Sequence, residues 1–102
     1  MANDPNQISI EILRENLLQA RSQDWGQEMM AFMKVRDHPD LQWIDLLDAI
    51  ERPGPTSEDA ALTLHTLLGI QREGIAVNRD RTFWQNVLNK AGISQLAKAR
   101  CK

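Results

Sequence analysis

The sequence predicts an all-α fold, a compact single-domain bundle of five to six short helices. Three observations predict it. Apolar residues recur three and four positions apart along most of the chain, and strict alternation is nearly absent. Proline and glycine divide that pattern into helix-sized pieces. The 102 residues, 42% hydrophobic and 25% charged, match one globular domain in size and composition. The expected division is a flexible N-terminal arm over 1–8 and one helical domain over 9–102.

The first helix is expected from about Ser9 to Arg21, with Ser9 as N-cap and Ile10, Leu13, Leu17 and Ala20 on one face. The second opens at Asp24, with Gln27 at capping-box spacing, and places Trp25, Met29 and Phe32 together. Asp37-His38-Pro39-Asp40 ends it, because proline disfavours helix at the residue before it and lacks a donor. In the third, Trp43, Leu46, Leu47 and Ile50 form an i, i+3, i+4, i+7 stripe, and Asp45, Asp48 and Glu51 are left for water.

Arg52-Pro53-Gly54-Pro55 is a loop. Thr56 is expected to start a fourth helix, carrying Leu64, Leu67 and Leu68 and ending at Gly69 or Gly74. Ile75-Ala76-Val77 reads as an extended connector with at most a minor β bridge. Thr82 is three residues before Gln85, a capping-box spacing that opens a fifth helix with Trp84, Val87, Leu88 and Ala91 on one face. Gly92 is placed as its left-handed terminus, followed by Ile93. Ser94 then caps a sixth, short helix. The expected core is Leu13, Leu17, Phe32, Trp43, Leu47, Leu64, Leu68, Val87 and Leu88. The three tryptophans, each near a helix start, are expected to be core anchors with the indole N–H at the rim. They share no period, so no repeat is read.

The inventory of reactive residues argues against catalysis. The two histidines, His38 and His65, have no second histidine or cysteine at metal-ligand spacing. Asp-His-Pro-Asp reads as turn and cap chemistry. Cys101, the single cysteine, is next to the last residue, where nothing can hold it in register with a base. Gly69 and Gly74 are followed by no Lys-Ser or Lys-Thr of a phosphate loop, and the central acids lack EF-hand spacing. No cofactor, metal or membrane partner is expected. One cysteine and an N-terminus without a signal-peptide pattern point to the cytoplasm.

Charge is unevenly divided. Residues 1–70 hold twelve acids against five Lys and Arg, a formal −7, whereas 71–102 hold seven against two, a formal +5. A basic face is therefore expected to bind a partner, through Arg79, Arg81, Lys90, Gln95, Lys98 and Arg100. The opposing expectation is that these cations pair with Asp45, Asp48 and Glu51 inside the fold.

The segment from Trp84 to Lys102, a helix, an Ala-Gly-Ile turn and a capped second helix, resembles the helix-turn-helix of bacterial repressors over about nineteen residues. The resemblance implies a DNA-binding regulator, with Gln95 at base edges and Lys98, Arg100 and Lys102 at phosphates. It departs from the pattern at Leu88, where a close helix crossing wants alanine, and at Lys98, where the second helix needs an apolar residue. Residues 56–99 are also similar in element order to the back half of death-fold recruitment domains, although the front half does not match. The expected function is a small non-catalytic protein-interaction module, an adaptor or regulator that binds a protein partner or self-associates.

Overall fold

The computed structural model describes residues 8–100 and shows five helices among them: α1 (Ile10–Ala20), α2 (Trp25–Arg36), α3 (Trp43–Ile50), α4 (Pro55–Leu68) and α5 (Arg81–Lys90). Most of the 1–8 arm, together with Cys101 and Lys102, lies outside the described residues. The fold is all-α and compact. Helices α1 and α2 pack on each other, as do α3 and α4, with α4 also against α2 and α5 against α3.

Local signals set most boundaries. Ser9 accepts the Glu11 amide at 3.2 Å and Asp24 accepts the Gln27 amide at 2.8 Å, the two caps read from the sequence. Two ends use left-handed glycine. Gly69 has φ 69° and Gly92 φ 71°, and in each case the following N–H returns to the carbonyl five residues back, Ile70 to His65 at 3.0 Å and Ile93 to Leu88 at 2.9 Å. Helix α4 therefore stops at the first of its two candidate glycines. Two starts differ from expectation. Pro55, pre-set for the first helical position, begins α4 one residue before Thr56, so Gly54 is the N-cap and Thr56 and Ser57 are buried. Asp80, not Thr82, caps α5, because its carboxylate reaches the Thr82 amide at 3.0 Å.

The core joins all five helices. Of the nine residues expected there, seven are buried, and Leu68 and Val87 are half-buried against it. Val35, Leu41, Leu46 and Trp84 are fully enclosed as well. Trp25 is the exception among the tryptophans. It is 59% exposed, lying over the Gly54 turn, where a Cβ on Gly54 would come within 2.9 Å of the indole. Its place in the first turn of α2 carries it past the end of the core, and the missing side chain of Gly54 makes its seat.

The largest departure is the C-terminus. Residues 94–100 are not a sixth helix; a turn closed by Ala97 N–H to Ser94 O at 3.0 Å leads into a strap over the start of α3, with Gln42 and Lys98 in an antiparallel bridge. Trp43 and Ile44 are the first two residues of α3, whose N–H groups have no partner inside the helix. The strap supplies them. Trp43 N–H donates to Ala97 O at 3.3 Å and Ile44 N–H to Gln95 O at 2.8 Å, while Ala99 N–H donates to Leu41 O at 2.6 Å. A helix over Ser94–Arg100 would direct those carbonyls into its own ladder and leave the buried end of α3 without acceptors. The connector before α5 contains a small bridge, Glu73 to Ala76, around Gly74.

Candidate functional site

Most of the residues proposed for a basic face have partners inside the fold. Arg81 donates to Asp48 at 2.8 Å and to Glu51 at 2.7 Å, two of the acids named in the opposing expectation. Lys98 meets Asp40 at 2.9 Å. Arg100 donates to the Arg36 carbonyl at 2.9 Å, and Arg79 to the Ser57 hydroxyl at 3.1 Å. Gln95 gives its carbonyl to α3 and is half-buried. Lys90 stands exposed at the end of α5. The +5 and −7 parts of the chain are thus interleaved, because the strap and α5 lie beside α3 and the loop before it.

Asp45, read as facing water, is also engaged. It accepts both Nε and Nη2 of Arg14 at 2.8 Å and the Gln42 amide at 2.9 Å, which ties α1 to the start of α3. The second helix required by the helix-turn-helix resemblance is not formed over 94–100.

Two carboxylates face the cations of the strap. Hydrogen bonding from Lys98 holds the Asp40 carboxyl below the usual aspartate range. Asp37 is likewise lowered, by hydrogen bonds from Arg36 and by the charge of Arg100. A carboxylate lowered in the folded state stabilises it fully above the unfolded pKa of about 3.9, and that stabilisation is lost as pH falls through the lowered folded value. In an NMR titration the amides of Ile44 and Ala99 should therefore stay fixed from pH 7 to about 4 and shift below it. In Lys98→Ala, Asp40 should titrate closer to the ordinary value. An Asp40 that titrates identically with and without Lys98 would mean that the contact is not held in solution.

The two histidines hold backbone, not ligands. His38 Nδ1 accepts the Asp40 amide at 3.0 Å, and its Nε2 donates to the Ile8 carbonyl at 2.8 Å, the turn chemistry expected of Asp-His-Pro-Asp. His65 is buried in α4. Its Nε2 accepts the Asn78 amide at 3.0 Å, so Nδ1 carries the proton donated to Ile70 O at 2.9 Å. Among the described residues no group of three or more His, Cys, Asp or Glu is placed to hold a metal ion, and no helix is long and apolar enough to cross a membrane.

A different surface stands out. Between the N-terminal half of α1 and the C-terminal half of α2 lies an open groove of about 520 Å³. Leu13 contributes from α1 and Met30 and Met33 from α2, with Ile8 and the His38-Pro39 turn closing one end. Ile8, Met30 and Met33 are exposed, Met30 at 66%. The reason is geometric. Phe32 and Val35 direct one side of α2 into the core, and at 100° per residue Met30 and Met33 fall on the opposite side. The methionines are conspicuous in the sequence, but their periodicity matches that of a core stripe, and only the position of Phe32 and Val35 decides which stripe is inside. No family model, characterised protein or solved structure matches the chain.

Proposed function

We propose that this chain is a small non-catalytic helical protein-interaction module, an adaptor or regulator, and that the α1–α2 groove is its binding surface. The observation that carries the reading is an exposed groove lined by methionine and isoleucine, on a fold whose cations are largely engaged internally. Flexible, polarisable methionine side chains suit a surface that must fit an apolar partner. Lys34 and Asp37 at the rim supply orientation by charge. The nucleic-acid reading lacks its recognition helix over 94–100 and is not proposed.

The test is site-specific photo-crosslinking in the native cell. A photoreactive residue replacing Met30 should trap discrete protein adducts, a second copy of the chain included, and these should disappear when Met33→Glu is added. The same residue at Lys90 should trap none of them. If Met30 yields no adduct, or the same adducts as Lys90, the groove is not a binding surface.

A further inference from the structure

The 70–80 connector is held to the bundle mainly by hydrogen bonds. None of its residues is buried, Gln71 to Ala76 are exposed throughout, and Ile70 and Val77 pack against the edge of the core. Three of its anchors meet at one pair of rings. His65 Nδ1–H donates to Ile70 O at 2.9 Å, the Asn78 N–H donates to His65 Nε2 at 3.0 Å, and Trp84 Nε1–H donates to Asn78 O at 2.7 Å. A further anchor is Arg79, which donates to the Ser57 hydroxyl. A backbone N–H can only donate, so the ring nitrogen facing Asn78 must carry a lone pair. A protonated imidazole has N–H on both nitrogens and sets donor against donor there. His38 has a similar pair of backbone partners, but it is part-exposed, and water can replace a bond that its turn loses. His65 is 7% exposed and has no such substitute.

The charges around the ring offset one another. From the connector, Glu73, Arg79 and Asp80 line the cavity of about 640 Å³ beside His65, and Arg72 lines the neighbouring one. On α5, Arg81 is held by Asp48 and Glu51, and Lys90 stands at the far end. On α3, Asp45 is held by Arg14. On α4 itself, Asp59 is bound by Arg36, and Glu58 is exposed in the first turn. What the ring touches directly therefore decides its response, and on the Nε2 side that is a donor. We infer that His65 is a proton-operated latch: neutral, it fastens the connector to α4 and α5, and on taking up a proton it lets go of Asn78 and releases the connector. The released form accepts the proton more readily than the latched one. The latch thus holds at neutral pH and weakens as pH falls through the range in which a solvated imidazole titrates, about pH 6.5.

Native-state hydrogen exchange of the full chain tests this at the Asn78 amide, whose acceptor is His65. At about pH 5.5 a solvated imidazole holds roughly ten protonated forms for each neutral one, so the released population should rise about tenfold between about pH 7.5 and 5.5. Asn78 protection, corrected for the intrinsic exchange rate, should fall by the same factor. At both pH values Asn78 should exchange faster than Leu47 in the core, the mark of a connector that opens without the rest of the fold. The fall should vanish in His65→Gln, which stays neutral, and persist in His38→Gln. If His65→Gln does not fold, the ring nitrogen shifts of the wild type replace it: a His65 that keeps the neutral Nδ1–H form for as long as Asn78 is protected supports the latch. A protonated His65 with Asn78 still protected overturns it. So does a fall of less than about threefold, a fall that survives in His65→Gln, or an Asn78 that exchanges only together with Leu47.

Discussion

Replacing Trp84 with alanine is expected to cost about 3–5 kcal/mol, a large part of the roughly 5–15 kcal/mol that holds a domain folded. The side chain is wholly enclosed, and its loss would leave a cavity between α5 and α4. The indole N–H also donates to the Asn78 carbonyl at 2.7 Å. Its neighbour His65 stands edge-on with ring centroids 4.7 Å apart, and the same histidine holds Ile70 O and Asn78 N–H. The two rings together therefore fasten the 70–80 connector from opposite sides of Asn78.

His65→Ala should cost less than Trp84→Ala, but the two losses should not add. A double-mutant cycle from urea unfolding should give a coupling of about 0.5–1.5 kcal/mol, the magnitude of an aromatic pair beyond its buried area. Additive losses would show that the rings act separately. A Trp84→Ala chain within about 1 kcal/mol of wild type would mean that α5 is not part of the cooperative core.

The order of α1 to α5 and the buried faces of α1 and α3 were legible because each rests on local chemistry. Ser9 and Asp24 are short acceptors at helix starts, Gly69 and Gly92 are the residues that reach positive φ without strain, and the Trp43 stripe has only one way to be buried. The strap was not legible. Ser94-Gln-Leu-Ala-Lys-Ala has good intrinsic helix propensity, and what overrides it is distant in sequence: the bare N–H groups of Trp43 and Ile44 and the carbonyl of Leu41. Asp80 was overlooked as a cap because Thr82 and Gln85 have the same signature two residues later. Charge was legible as an inventory but not as a surface, since Arg81 and Lys98 lie thirty or more residues from the acids they meet. The groove had one available signal, the ridge of Met30 and Met33 repeating opposite Phe32 and Val35.

Glu28→Ala is the second change expected to be severe, and for an electrostatic reason. Glu28 is buried in α2, with Arg52 Nε 2.9 Å from its Oε2. Arg21 Nε lies 3.5 Å from the same oxygen, within ion-pair distance but without hydrogen-bond geometry. Removing the carboxylate leaves two guanidinium groups facing each other in a partly dry site, a loss of about 3–5 kcal/mol when a buried pair is broken on one side. The two arginines retain 22% and 32% side-chain exposure, so they can turn toward water, which places the expected cost near the lower end, about 3 kcal/mol. Glu28→Gln should fall between, because its amide oxygen can still accept from Arg52. Replacing all three together, Arg21→Met, Glu28→Leu and Arg52→Met, removes the desolvation cost along with the attraction and should return stability to within about 1 kcal/mol of wild type. Urea midpoints of the four chains decide it. If Glu28→Ala costs under about 1 kcal/mol, water already reaches the carboxylate; if the triple variant is as unstable as Glu28→Ala, the site is held by hydrogen-bond geometry that apolar side chains cannot replace.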